Sequence, residues 1–359
     1  MSQPSSTLPR VGGSLFLQTV AIPLLLPVTQ VVGLALGGGW AWLPVLYAFA
    51  LVPALDLVVP LDTDPPPGRA QPDARWMFEL AVHLWVPVQI VVMAATMARV
   101  SAAEVGGWTQ AGWVVGLAMV TGGGGITVAH ELMHRPDRRA RGLAELLMTL
   151  VLYPHFCVEH ILGHHRRVAT EDDPASARLG ESVWSFLPRT VLGGLRSAWG
   201  LEAERVHRLG LRGLSDRRWR HPIGVSGLVL LTALAFGAPG LVVLVGSSAV
   251  AVFLLEVVNY VEHYGLVRAR RPDGRYERVR PAHSWNSAHR LTGWILFRLP
   301  RHSDHHYLAH RPYHELEHHE AAPQLPASYP AMMILALAPP LWRRIMDPRV
   351  EAWRGAAPA

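Results

Sequence analysis

Three groups of histidines in this chain are spaced as metal ligands. His130-Glu131-Leu132-Met133-His134 puts two imidazoles at i and i+4, on one helix face and within reach of one cation. Glu159-His160-Ile161-Leu162-Gly163-His164-His165 sets one histidine a turn before a vicinal pair. Arg301-His302-Ser303-Asp304-His305-His306 repeats that arrangement one residue tighter, and Asn259-Tyr260-Val261-Glu262-His263 adds a further imidazole. Taken alone, the first group also describes a zinc metalloprotease, with Glu131 as general base and a third ligand downstream. The whole set is His130, His134, His160, His164, His165, His263, His302, His305 and His306. These are too many for one zinc, which takes four ligands in total. They suit two metals with several ligands each and positions left open for a substrate. Imidazole serves zinc, copper, iron and nickel alike, so ligand type does not name the metal. A metal-buffering tract is the bland alternative, but such tracts are low-complexity runs, whereas these residues stand at helical spacing.

A ligating imidazole usually gives its other ring nitrogen to a carboxylate or carbonyl, which fixes tautomer and orientation. Glu131, Glu159, Glu262 and Asp304 each adjoin a histidine and are candidates for that role, with Asn259 and His289 beside them. The nearby arginines compete for the same carboxylates. His155 and His283 are further candidate supporting donors, whereas the loose spacing of His310, His314, His318 and His319 reads as surface.

The elements that must carry these groups are membrane helices. Half of the 359 residues are apolar, yet the chain holds 19 histidines and 33 basic residues, all arginine, for a net charge of +6. Its mean hydropathy is +0.20. Apolar segments run over 14–36, 41–60, 77–97 and 110–129. Each is about 20 residues long, enough to cross roughly 30 Å of hydrocarbon. A further stretch over 223–236 and 241–258 is broken by Gly237-Ala238-Pro239-Gly240 and reads as a helical hairpin. Interior prolines such as Pro27 and Pro87 are tolerated in membrane bundles. Shorter apolar runs at 143–157 and 331–342 read as surface or cap segments.

Arginines gather after the fourth segment (Arg135, Arg138, Arg139, Arg141) and around Arg166, Arg167, Arg217, Arg218 and Arg220, whereas the hairpin tip has no charge. The positive-inside rule then puts the histidine-rich segments, 130–220 and 259–359, in the cytoplasm, with both chain ends beside them. The expected fold is all-α and integral to the membrane: one domain over 1–359, about six transmembrane helices and a cytoplasmic histidine-rich cap. A soluble helical protein would have to bury six such stretches in its core. The first twenty residues read as the first span rather than a cleaved leader. The single cysteine, Cys157, excludes a disulfide framework or a cysteine-ligated metal site within the chain. The basic face serves topology beside anionic lipid, or steers a small acidic electron donor; no nucleic-acid partner is expected.

Particular strings resemble the membrane alkane 1-monooxygenases (alkane ω-hydroxylases), within the wider histidine-rich group of fatty acid desaturases and xylene monooxygenases. They are AHELMHR (129–135), EHILGHHRRVATEDDPASAR (159–178), NYVEHYGL (259–266), HSWNSAH (283–289) and RHSDHH (301–306), with weaker likeness over 51–67 and 323–350. NYVEHYGL and HSWNSAH set this family apart from the desaturases. Met133, Arg135 and Pro300 depart from the family pattern without removing a ligand. The resemblance implies a non-haem di-iron site, its two irons held by the nine histidines. It implies O2-dependent hydroxylation of a terminal alkane methyl, with electrons from NAD(P)H through a reductase and rubredoxin. It also implies a bacterial inner-membrane location and a hydrophobic tunnel from bilayer to irons, near whose gate Ala48 would stand. A fatty acyl chain, aryl methyl or terpene is the alternative substrate.

Overall fold

The computed structural model describes residues 13–102 and 104–356. Among them there is no β-strand, only two isolated bridges, and the molecule is a bundle of long helices carrying a helical cap. The long helices are α1 (Gly13–Leu36), α2 (Gly38–Asp56), α3 (Pro72–Ala102) and α4 (Gly107–Met133). The cap begins with α5 (Arg138–Leu150), a helical segment over 156–167 (α6) and α7 (Val183–Leu209). The 47-residue α8 (Arg217–His263) returns to the bundle. After it come α9 (Arg290–Ile295), α10 (His302–Tyr307), α11 (Tyr329–Ala336) and α12 (Pro339–Ala356). Five of these helices are long and apolar enough to cross a membrane, α8 counting as one.

The helices overrun the apolar runs that mark them in the sequence. The run at 110–129 continues to Met133, so His130 stands on the last turns of α4, in the helical setting its spacing implies. Likewise 77–97 lengthens to Pro72–Ala102, while 41–60 shifts to Gly38–Asp56. At the end of α4, His130 and Glu131 continue the helix because the cap, not solvent, covers them.

Two glycines make the sharp reversals. Gly37, at φ 63°, joins α1 to α2, and Gly33 lies so close to the Trp40 carbonyl that a Cβ there would meet it at 2.8 Å. Gly237, also at φ 63°, interrupts α8 at the charge-free tip and leaves arms over 217–236 and 238–263. At the tip, Ser101 Oγ at the end of α3 donates to the Phe236 carbonyl (2.9 Å). At the other end, Arg217 meets Glu145 of α5 (2.7 Å), and Glu256 on the second arm accepts from Tyr153 and Thr190 of the cap.

Inside the bundle, small and polar residues permit close approach, as expected where no hydrophobic force drives helices together within lipid. Gly124 and Gly125 lie directly against Trp85 and Gln89 of α3. Gln30 donates to Thr96 Oγ1 and the Trp113 carbonyl, tying α1 to α3 and α4. Outward faces carry Leu230, Leu231, Leu234 and Val242, all more than half exposed, as a lipid-facing surface requires. The run at 331–342 becomes two helices, and Pro339 and Pro340 begin the second one, where a missing N–H costs nothing.

Asp137, Ser182 and Asp216 cap the helices that follow them. Glu145 then clamps α5 to α8 through Arg217 and Arg220 (2.6 Å). Burial raises its pKa, but the His221 contact and the two guanidinium groups outweigh that and hold it at about 2. A folded-state pKa below the unfolded one stabilises above the unfolded value and loses that contribution as pH falls. Glu145→Ala should therefore cost about 1–3 kcal/mol near neutral pH. Thermal unfolding in detergent should show the gap between variant and parent closing between pH 5 and 2; a gap independent of pH would contradict the clamp.

Candidate metal centre

The nine histidines expected as ligands converge from four segments at the inner end of the bundle. They divide into two sets: His130, His134, His160, His165 and His305 in one, and His164, His263, His302 and His306 in the other. Within each set one nitrogen from every ring lies within 4.8 Å of all the others. Adjacent residues serve opposite sets, since neighbours on a helix diverge in direction: His164 and His165 part company, as do His305 and His306. The Glu159–His164 stretch of α6 is a wide π turn, which brings i and i+5 together. Hence His160 faces His165, with their Nε2 atoms 3.0 Å apart.

In the close contacts between rings the facing atoms are Nε2. His134 and His160 approach to 3.0 Å and His165 and His305 to 3.1 Å. In the second set His164 and His306 lie 3.2 Å apart and His263 and His302 3.3 Å. A metal about 2.1 Å from each imidazole places neighbouring nitrogens roughly 3.0 Å apart in octahedral and roughly 3.4 Å apart in tetrahedral geometry. The observed spacings fall in that range. A hydrogen bond needs one donor and one acceptor, and five mutually facing nitrogens cannot all be so paired. A central cation can accept every lone pair, so the donor set fits a metal in each group.

Burial is the largest cause, with neighbouring rings adding to it, that pushes His160, His165, His302, His305 and His306 well below the usual histidine pKa. These imidazoles are neutral at physiological pH, the form that ligates. Both sets border one cavity. It runs between membrane helices past Leu26, Ala48, Phe49, Met119 and Leu254 and ends on His130, His160 and His302. Its walls are overwhelmingly apolar, and Asn259, Glu262, Thr292 and Tyr329 are polar groups on its lining.

Comparison with known proteins agrees with this architecture. A sequence model described as fatty acid desaturase matches residues 106–336. An alkane 1-monooxygenase 2 of Pseudomonas aeruginosa is 42% identical over 323 residues, which cover 88% of this chain and 85% of the relative. An alkane 1-monooxygenase 2 of Alcanivorax borkumensis is 38% identical over 354 residues, 95% of this chain and 91% of that protein. The chain belongs to the alkane 1-monooxygenase family. A xylene/toluene monooxygenase hydroxylase component of Pseudomonas putida is more distant, at 28% over 343 residues, 92% of this chain and 88% of its own length.

As a member of the alkane 1-monooxygenase family the protein is a membrane monooxygenase, and its supporting residues can be placed one by one. Most of the expected carboxylates face elsewhere than the rings. Glu131 pairs with Arg135 (3.0 Å), which bridges it to Glu79, and accepts from the Tyr313 N–H. Glu159 pairs with Arg167 (2.7 Å), and Asp304 is held by Arg311 and His319, both at 2.7 Å. Asn259 donates to Glu256 Oε2 (3.0 Å), and His289 Nδ1 lies 2.9 Å from Ser287 Oγ. Of the expected carboxylates Glu262 alone touches the cluster, its Oε2 3.1 Å from His302 Nε2 on the side the other rings face. His155 lines the small cavity behind His160 and His164, and His283 lies 3.3 Å from Glu277 rather than against a ligand.

The residue missed was Asp173, fully buried and 2.9 Å from His164 Nδ1. Burial works against its charge, but the contacts with His164 and Ser176 prevail and lower its pKa. It lies in the quoted 159–178 string, nine positions from its partner across a turn, where helical spacing gives no signal. The surface reading of the later histidines holds for His310 but fails for His314, buried and stacked 4.4 Å above the Phe78 ring. It also fails for His319, which Asp304 draws inward, while His318 meets Asn286 (3.1 Å).

Asp173→Asn should weaken metal binding in the four-histidine set by roughly 10–100-fold. Under a graded chelator challenge the variant should lose one metal well before the other, as followed by metal content per chain. Loss of both together, as in the parent, would contradict this placement.

Proposed function

We propose that this protein is a non-haem di-iron monooxygenase that hydroxylates the terminal methyl of n-alkanes, giving 1-alkanols. Its electrons come from NAD(P)H through a rubredoxin reductase and rubredoxin, and each turnover consumes one O2, two electrons and two protons and releases one water. The observation that carries the reading is the apolar cavity between membrane helices that ends on histidines of both sets. Such a cavity accepts a hydrocarbon from the bilayer and brings it to the metal ligands without passage through water. An unactivated C–H bond offers no acid–base handle, so hydrolytic chemistry is useless against it; two irons in these sites would supply the oxidising power.

What the chain itself does follows from the lining. Leu26, Phe49, Val52 and Met119 exclude water and hold the alkyl chain lengthwise, so that only its end reaches His130, His160 and His302. Glu262 carries a buried Oε1 without a partner at that end, placed to hold a proton beside the reacting carbon. The nine histidines are the proposed iron ligands, five around one iron and four around the other. The arginine-rich loops and the charge-free turn at Gly237 favour a bacterial inner-membrane protein of six crossings with this site on the cytoplasmic side. We treat residues 1–359 as a single functional domain.

The relatives named for alkanes align more closely than the one named for xylene and toluene, which favours an alkane over an aryl methyl, a fatty acyl chain or a terpene. Cells making the protein with rubredoxin and its reductase should convert n-alkanes of graded length to 1-alkanols. Oxidation of aryl methyls or fatty acids with alkanes untouched would transfer the reading to that substrate. Ala48 lines the cavity between Tyr47 and Phe49. Ala48→Trp should shorten the longest accepted alkane by several carbons, and an unchanged chain-length profile would reject Ala48 as a gate.

A further inference from the structure

Residues 267–280, which follow His263, form a basic hairpin with six arginines against one aspartate and one glutamate. Its own bonds shape it. The Asp273-Gly274 turn, with Gly274 at φ 78°, is closed by Arg271 N–H to the Arg275 carbonyl (2.8 Å), and Tyr276 packs under Arg268 and Arg270. Arg270, Arg271, Arg275 and Arg278 are exposed, and the side chains of Arg271, Arg275 and Arg278 make no ion pair among the described residues. Glu171 and Asp172 border the patch beside Arg270.

The hairpin is joined to a metal-ligand candidate by an unbroken line of hydrogen bonds. Arg268 N–H donates to the Ala169 carbonyl (2.8 Å), and Ala169 N–H donates to Ser176 Oγ (2.8 Å). Ser176 Oγ donates to Asp173 Oδ2 (2.7 Å), which lies 2.9 Å from His164 Nδ1. Arg268 also grips the Arg166 carbonyl (2.9 Å), next to the vicinal His164–His165 pair. None of these residues lines the apolar cavity, so this approach to the ligands is separate from the substrate's.

We propose that this hairpin is the docking surface for a small acidic one-electron carrier, and that electrons enter through Ala169, Ser176 and Asp173 toward His164. The proposal rests on the monooxygenase reading above and deepens it by placing the electron donor. Each encounter oxidises the carrier by one electron, so two encounters serve one turnover. A field of unpaired guanidinium groups attracts an acidic surface from a distance and orients it, raising association rates by roughly 10–1,000-fold at low salt. A lipid surface fits less well, because membrane-binding basic segments interleave Trp, Phe or Leu, and this hairpin exposes only Val267 among its larger apolar side chains.

The test uses the full-length protein in nanodiscs of neutral lipid, with purified rubredoxin as the probe. The triple variant Arg270→Glu, Arg271→Glu, Arg275→Glu should bind rubredoxin roughly 10–100-fold more weakly at low salt, with metal content and thermal unfolding unchanged. Single Arg275→Glu, on an exposed turn, should show a smaller loss in the same direction. The difference from the parent should shrink at about 0.5 M salt, where surface charges are screened. Equal rubredoxin affinity in parent and variants, or no rubredoxin binding by the parent, overturns the proposal. So does a variant defect confined to vesicles containing anionic lipid. Turnover of the parent with a small chemical reductant is the separate measure of the monooxygenase reading, and its failure would sink that reading whatever the binding result.

Discussion

Nine imidazoles packed into two sets, eight of them with an Nε2 atom 3.0–3.3 Å from a neighbour's, are the constraint on which the rest of this structure depends. The five facing nitrogens of the larger set have no common hydrogen-bonding solution, and each unmet acceptor away from water costs free energy. A cation at the centre of each set would accept every one of these lone pairs. Metal binding would then be part of what stabilises the cap, since sites of this kind couple metal affinity to folding. The long helices supply the rigidity: α4 and α8 bring His130, His134 and His263 from the membrane side, while α6 and α10 bring the others from the cap.

The same arrangement separates two kinds of traffic. On the bundle side the histidines close a cavity whose walls are mostly apolar, with Leu26, Phe49, Val52 and Met119 among them. On the side of Asp173 the ligands connect through hydrogen bonds to a polar, arginine-rich hairpin. A monooxygenase needs both approaches, and needs them apart, because water entering with the substrate would compete for the oxidising centre.

Much of this was legible in the sequence. Helical spacing picked out the nine histidines, and apolar run lengths picked out the bundle, because both signals are local and periodic. The division into five and four was not legible. It depends on a π turn at 159–164 and on neighbours such as His305 and His306 pointing apart, which ligand counting cannot show. Supporting residues read from adjacency mostly failed for a related reason: Glu131, Glu159 and Asp304 sit next to ligands in sequence but are claimed by Arg135, Arg167 and Arg311. Asp173 reaches His164 only because the chain turns back after Thr170, and turns of that kind carry no periodicity. His314 looked like surface until Phe78, far away in sequence, supplied the ring it stacks on.

The central claim is that the two histidine sets hold two irons, and metal analysis of the protein purified from cells grown with both iron and zinc tests it most directly. The account predicts two irons per chain, with anomalous scattering at the iron edge locating one inside His130, His134, His160, His165 and His305 and the other inside His164, His263, His302 and His306. A single zinc per chain, or two metals within one set with the other empty, would contradict it.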